Sequence, residues 1–255
     1  MCGRVGFLNF HKGLAAMKVV LDIETIQATR SEWAKVLGIE LVLPPEASLQ
    51  SEADLFSYAG YEERIHKENE LYERSAFDGT FSRIVVIGVL VFSDAMVPQG
   101  AIAWYGNNET EMLHLFWDRM GQLRPSLIIT HNGLGFDLPF IKKRSIIHQI
   151  KPPFDINLAK FRTEPVYDTM AIWSNWDMRG WIKLDVLARA LNVPTKSGSG
   201  AQVAEMWDQG LQKETAAYCL QDTFVTYACY CRMTFRDLCG RDEVLQGAQF
   251  IDVGA

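Results

Sequence analysis

The chain has 255 residues, 48% of them hydrophobic and 22% charged, with Asp and Glu outnumbering Lys and Arg by 31 to 25. This is the make-up of a globular protein with room for one large domain or two small ones, and it excludes wholesale disorder. The net charge of −6 excludes a basic coat that binds nucleic acid by charge alone, and the longest apolar run, nine residues from Ile84 to Phe92, is far short of the ~20 that cross a membrane.

Residues 1–16 are interrupted by Asn9, His11 and Lys12, so they lack the continuous apolar core of a signal peptide. They are set apart as a dispensable extension, with Met17 as an alternative start. Lys18 to Ile26 reads as a strand, with Val19, Leu21 and Ile23 on one face and Val20, Asp22, Glu24 and Ile26 on the other. Residues 27–80 are polar and helical in character, an insertion after the first strand. Ile84–Phe92 and Ala101–Tyr105 are the next two strands. Asn108 and Glu111 have the spacing of a capping box at a helix start. Ser126–Thr130 is a fourth strand, followed by the turn HNGLGFD (131–137) and a helix from about Leu138 or Pro139. Val166–Met170 is a short strand. Lys183–Leu191 and Ala201–Trp207 are helical, and Glu214–Leu238 is a long helix. The resulting α/β domain covers 17–240, with 241–255 as a tail.

Three segments bring acids from regular elements or their ends. Asp22 and Glu24, two apart in an apolar strand, leave the same sheet face. Either the strand end frays and both are solvated, or a hard divalent cation offsets their repulsion. In HNGLGFD, Gly133 and Gly135 permit positive φ and close backbone approach, and Asp137 either caps the helix or faces a ligand. On the long helix, Leu220, Phe224, Tyr227, Cys231, Phe235 and Leu238 form an apolar stripe, while Tyr218 and Asp222 share the opposite face. Val225 and Cys229 also lie on that side, so the helix is apolar on both sides and is expected to pack over a sheet, carrying Tyr218 and Asp222 inward. Four convergent carboxylates would hold two metals and support in-line attack of water on a phosphodiester, with Tyr218 orienting the water.

DIE (22–24), N-x-x-x-F-D (132–137) and Y-x-x-x-D (218–222) stand in the order of the three motifs of the four-acid 3′–5′ exonucleases, tyrosine subtype. With FSRIVVIGVL, YDTMAIW, LARALNVPTKSGSGAQV and YCLQDTFVTYACYCRM, the whole of 18–236 resembles the predicted exonuclease family related to the proofreading domain of family B DNA polymerases. The resemblance implies an RNase H-like fold, a mixed central sheet of three antiparallel and then parallel strands flanked by helices. It implies two Mg²⁺ or Mn²⁺ ions on Asp22, Glu24, Asp137 and Asp222, a water-orienting Tyr218, and release of nucleoside 5′-monophosphates. Thr25 and Asn132 match positions that touch the terminal nucleotide, and Phe136 is a further candidate contact. The substrate expected is a single-stranded 3′ end, DNA favoured over RNA, because a paired terminus cannot reach a buried metal pair.

Residues 142–162 are basic, and Lys142 and Lys143 are candidate phosphate contacts; a solvated helix end is the alternative. Lys196, with Gly198 and Gly200, would form a phosphate-contacting loop. Trp173, Trp176 and Trp181 can stack on bases, but core packing is the favoured reading, and Asp168 reads as structural. The five cysteines are odd in number and lack a C-x-x-C pair, as in a reduced, cytoplasmic protein. Zinc-protease, P-loop and G-x-S-x-G patterns are missing. The rival to an enzyme is a non-catalytic module that binds nucleic-acid ends or scaffolds a repair or defence complex.

Overall fold

The computed structural model describes residues 16–42, 52–195 and 203–254. The expected extension, up to residue 15, and Lys196, Gly198 and Gly200 lie outside the described residues. Six strands, β1 (Met17–Ile26), β2 (Arg83–Ser93), β3 (Pro98–Tyr105), β4 (Leu127–Thr130), β5 (Val166–Asp168) and β6 (Gln249–Asp252), form one sheet in the order β5-β4-β1-β2-β3-β6. The β1–β2–β3 meander is antiparallel; β4 joins β1, β5 joins β4 and β6 joins β3, each in parallel. The mixed sheet is the expected one, with one addition. Residues 241–255, expected as a tail, carry a short helix and the edge strand β6, whose four residues are too shallowly buried and show no alternation to mark a strand from sequence.

The helices are α1 (Arg30–Leu37), α2 (Glu52–Ser75), α3 (Glu109–Leu123), α4 (Asp137–Ile147), α5 (Thr169–Trp173), α6 (Leu184–Ala190), α7 (Val203–Asp208), α8 (Gln212–Met233) and α9 (Arg241–Val244). The period-2 pattern of β1 sorts its apolar side chains onto two faces. Val19, Leu21 and Ile23 join Met112, Phe116 and Trp117 of α3 and Leu138 and Ile141 of α4. Val20 joins Leu220, Phe224, Tyr227 and Cys231 of α8 on the other face, where Tyr227 stacks on Phe92 with ring centroids 4.4 Å apart. The second apolar side of α8, Val225, Ala228 and Cys229, packs against Leu187 and Ala188 of α6. The molecule is therefore layered: α3 and α4, the sheet, α8, then α6.

The stripe of α8 stops earlier than its sequence period suggests. The Thr234 hydroxyl takes the carbonyl of Tyr230 at 2.7 Å, and Phe235 turns into the left-handed region (φ 55°) with 98% of its surface exposed. Phe235 is therefore off the stripe, while Leu238 packs on the core from outside the helix. The insertion after β1 forms α1 and α2. Thr29 and Glu32 make a reciprocal capping box at α1, and Arg30 binds Glu68 of α2 at 3.0 Å. At α3 the Asn108 side chain accepts from the Glu111 N–H, one half of the capping box expected there. No helix among the described residues is long and apolar enough to cross a membrane.

Candidate active site

Strands β1, β4 and β5 run parallel, so their C-terminal ends share one edge of the sheet, at the point where the chain leaves β1 in one direction for β2 and β4 lies on the other side. Such switch points are the natural clefts of open α/β sheets. Asp22 and Glu24 occupy the last part of β1, just before a register shift between Glu24 and Thr25. The 131–137 turn leaves the end of β4. Helix α8 crosses the face to which Asp22 and Glu24 point.

Register and a missing side chain bring α8 close. Asp22 pairs with Gly88 of β2, and a Cβ on Gly88 would lie 2.7 Å from Cys219 Sγ and 3.1 Å from Thr223 Oγ1. The Cys219 thiol lies 3.5 Å from both the carbonyl oxygen and Oδ2 of Asp22 and donates there. Ligand atoms of Asp22, Glu24 and Cys219 lie within 4.8 Å of one another. Sequence reasoning passed over Gly88 and Cys219. The signal was a glycine in the middle of an otherwise apolar strand, which marks a close backbone approach.

Asp137 is the first residue of α4 and is 3% exposed. Its Oδ1 accepts the N–H of Ile23 at 3.1 Å, which ties the second motif to the first. Burial pushes its carboxyl up to about 7, and the charge of Asp168 adds to the effect. Asp22 is half-buried, and its carboxyl is raised well above the usual carboxylate range. Burial is the largest cause, followed by the charges of Asp137, Glu24 and Asp222. Burial also raises the Cys219 thiol, together with the charges of Asp22, Glu24 and Asp222. Three separated segments thus act on one spot. Tyr218 is buried, four residues before Asp222 on α8.

The 131–137 turn differs in detail from its sequence reading. The positive φ belongs to Asn132 (64°), not to Gly133 or Gly135. The glycines are required by space: a Cβ on Gly133 would lie 2.4 Å from the Thr130 side chain, and one on Gly135 2.6 Å from Asn132 Oδ1. Asp168 holds this turn. Its carboxylate accepts from the N–H groups of Asn132 and Leu134 at 2.9 Å, and from Met170 and Ala171 as the cap of α5.

The peripheral candidates separate. Thr25 is half-buried beyond the register shift, opposite Ile84. Phe136 is half-buried, with Phe77 and Phe140 around it at ring distances of 6.5 and 5.4 Å. Lys143 pairs with Asp78 at 2.6 Å. Lys142 borders an apolar cavity with Trp117, Leu138, Ile146 and Phe154, and none of the four acids lines that cavity. Arg144, counted in the basic stretch, is tied to the buried Glu109 at 2.6 Å. The basic reading of 142–144 therefore loses two cations to internal pairs. Trp173 and Trp181, expected in the core, are more than 40% exposed, and Trp176 is half-buried.

Two carboxylates and a thiol within 4.8 Å of one another, with Asp137 bonded to the backbone between them, are costly without a counter-charge. Carboxylate oxygens are the donors Mg²⁺ and Mn²⁺ prefer, so the donor set fits divalent cations. Comparison with known proteins agrees in kind. The model of a family described as a predicted 3′–5′ exonuclease related to the exonuclease domain of PolB matches residues 77–244, about two thirds of the chain. That span contains Asn132, Asp137, Tyr218 and Asp222; Asp22 and Glu24 precede it. A DNA polymerase of Pyrococcus glycovorans is 29% identical over 140 residues, covering 48% of this chain and 18% of the polymerase. One from Thermococcus litoralis is also 29% identical over 140 residues, 48% of this chain and 8% of that protein. DNA polymerase 1 of Pyrococcus abyssi is 26% identical over 140 residues, 48% of this chain and 18% of that one. The chain thus spans less than a fifth of the length of these relatives.

Proposed function

Because this chain belongs to the predicted 3′–5′ exonuclease family related to the exonuclease domain of PolB, with the six-stranded mixed sheet and flanking helices of an RNase H-like exonuclease, we propose that it is itself a metal-dependent 3′–5′ exonuclease. The observation that carries the proposal is the clustering of acids at the end of β1: ligand atoms of Asp22, Glu24 and Cys219 lie within 4.8 Å of one another, and Asp137 Oδ1 accepts the N–H of Ile23 between the two acids. A scaffold gains nothing from such a repulsive cluster.

Asp22, Glu24, Asp137 and Asp222 would hold two divalent cations, Mg²⁺ or Mn²⁺. When bound, these supply an activated water and neutralise charge on the leaving oxygen. The protein's part is geometric. The glycine-cleared turn brings Asn132 and Phe136 to the terminal nucleotide. The register of β1 fixes Asp22 and Glu24 on one face, and α8 delivers Asp222 and Tyr218 together. The Tyr218 hydroxyl acts as a hydrogen-bonding group that orients the attacking water. The water oxygen bonds to phosphorus as the P–O3′ bond breaks. A nucleoside 5′-monophosphate leaves, and the shortened strand keeps a 3′-hydroxyl.

The substrate is a single-stranded 3′ end, with DNA favoured over RNA. The four described cysteines are free, which supports a reducing, cytoplasmic setting. The test is a time course on 5′-labelled single-stranded DNA and RNA with Mn²⁺. A descending ladder with release of 5′-mononucleotides supports the reading and ranks the sugars. Cleavage of a circular substrate, or turnover that persists in EDTA, contradicts it.

A further inference from the structure

The exposed aromatic residues after β5 have no part in the chemistry above. Trp173 ends α5 and Trp181 follows the 3-10 turn Met178–Gly180. A Cβ on Gly180 would lie 3.0 Å from the Ser174 Cβ, so the chain doubles back between Trp173 and Trp181. Trp176 lies between them, with its N–H on the Ala171 carbonyl at 2.8 Å. Phe161, 76% exposed, comes from the preceding loop to meet the Trp176 ring at 5.4 Å. Both Phe161 (φ 63°) and Trp176 (φ 65°) hold left-handed backbone.

Two further observations give the cluster an occupant. In a chain of net charge −6, Phe161 stands between Lys160 and Arg162, both exposed. A ring flanked by two cations suits a polymer that carries a flat base and a phosphate in every repeat. The cluster is also fixed to the candidate active site. The His131 ring, at the head of the 131–137 turn, donates from Nε2 to the Ile182 carbonyl at 3.1 Å, next to Trp181, and has Nδ1 2.9 Å from the Thr169 hydroxyl. Asp168 joins the start of α5 to the backbone of Asn132 and Leu134. A strand whose last nucleotide lies at Asp137 would have this cluster within the same rigid unit.

We propose that Phe161, Trp173, Trp176 and Trp181, with Lys160 and Arg162, form a platform on which single-stranded nucleic acid stacks upstream of its 3′ end. The proposal rests on the nuclease reading for the strand's polarity, and its test does not need turnover. Fluorescence anisotropy in EDTA measures binding of 5′-labelled single strands of 3 and 12 nucleotides to the full chain. The intact protein should hold the 12-mer more tightly than the 3-mer. Phe161→Ala and Trp181→Ala should each weaken the 12-mer by about five- to a hundred-fold, the range for one lost base stack, and remove most of the length dependence. Lys160→Glu with Arg162→Glu should flatten the dependence of log affinity on log salt by about 1.4. Melting temperatures identify any variant that fails to fold, and Phe161, the most exposed ring, is the one safest to remove.

If folded Phe161→Ala and Trp181→Ala variants bind the 12-mer as the intact chain does, the platform is refuted. If they instead lose self-association on gel filtration with strand binding intact, the cluster is a contact between copies and the proposal falls. Length-dependent binding that the variants abolish, in a protein that releases no nucleotide, supports the platform and removes the nuclease reading alone.

Discussion

The acid cluster makes a quantitative prediction for Asp137→Asn in the cation-free protein. Asparagine keeps an Oδ1 to accept the Ile23 N–H, now made at 3.1 Å, and removes the charge. The Asp137 carboxyl is raised from 3.8 to about 7, chiefly by burial. A carboxyl that binds its proton more tightly folded than unfolded gives stability that is complete below the unfolded pKa. That stability is lost as pH rises through the folded pKa. Wild-type stability in EDTA should therefore fall between about pH 4 and 7 and level off above. At 1.36 kcal/mol per pKa unit the ceiling is about 4 kcal/mol. The part owed to the charge of Asp168 reduces this to about 2–3 kcal/mol, or about 5–10 °C in a domain of this size. Asp137→Asn should melt with wild type near pH 4 and above it by that margin at pH 8. Manganese at a hundred times its Kd should raise wild type by about 2.7 kcal/mol at pH 8, and the variant by far less. Thermal melts from pH 4 to 8.5, with EDTA and with Mn²⁺, decide it. A wild-type melting point that is flat or rising over that range in EDTA, or a variant that melts lower at pH 8, would refute the reasoning.

Asp22→Ala and Asp222→Ala should each abolish mononucleotide release while circular dichroism stays that of the folded chain; retained activity in either removes it from the metal set. Tyr218→Phe should lower kcat while calorimetric Mn²⁺ affinity holds, and an unchanged rate would remove its water-orienting role. Gly88→Ala places a Cβ 2.7 Å from Cys219 Sγ, a clash worth about 1–3 kcal/mol of overpacking. Its activity should fall with its melting point, and adding Cys219→Ala should restore both if the thiol contact is the cause. Glu109 accepts the Ile84 N–H at 2.8 Å and faces Arg144 at 2.6 Å and His148 at 2.8 Å in a buried position. Glu109→Gln strands the guanidinium, so the melting point should fall by about 10 °C; a change under 2 °C would show that the pair contributes little.

The sheet was legible because period-2 strands buried on both faces leave no other reading. Val19 and Val20 go to opposite cores, as their alternation requires. The acids were legible because a carboxylate two residues from another in such a strand conflicts with its surroundings. What stayed hidden depends on long-range contact. Gly88 has meaning only once Cys219 lies across from it, 131 positions away in the sequence. The exposure of Trp173 and Trp181 follows from a loop closure at Gly180 that no local pattern announces, and hydrophobicity alone argues for the core. Lys143 and Arg144 read as a basic patch until Asp78 and Glu109, far along the chain, take them. Strand β6 is four residues long with mostly shallow burial, so its identity comes from the exposed edge of β3.

The two most buried acids near the site show how structure separates a strut from a ligand. Asp168 is 1% exposed, and four backbone N–H groups reach it at 2.9–3.2 Å. Its charge is met by the fold, and it holds the turn and α5 in place. Asp137 is 3% exposed, yet the donors on it are the N–H of Ile23 and its own backbone, and its carboxyl is pushed up to about 7. Half-buried Asp22 is also raised well above its ordinary range, with the Cys219 thiol as the group that lowers it. Burial alone would class Asp168 and Asp137 together. The supply of donors divides them: where the backbone supplies four, the acid supports structure. Where the supply falls short, the carboxyl holds its proton more tightly, and a divalent cation would compete with that proton for the same oxygens.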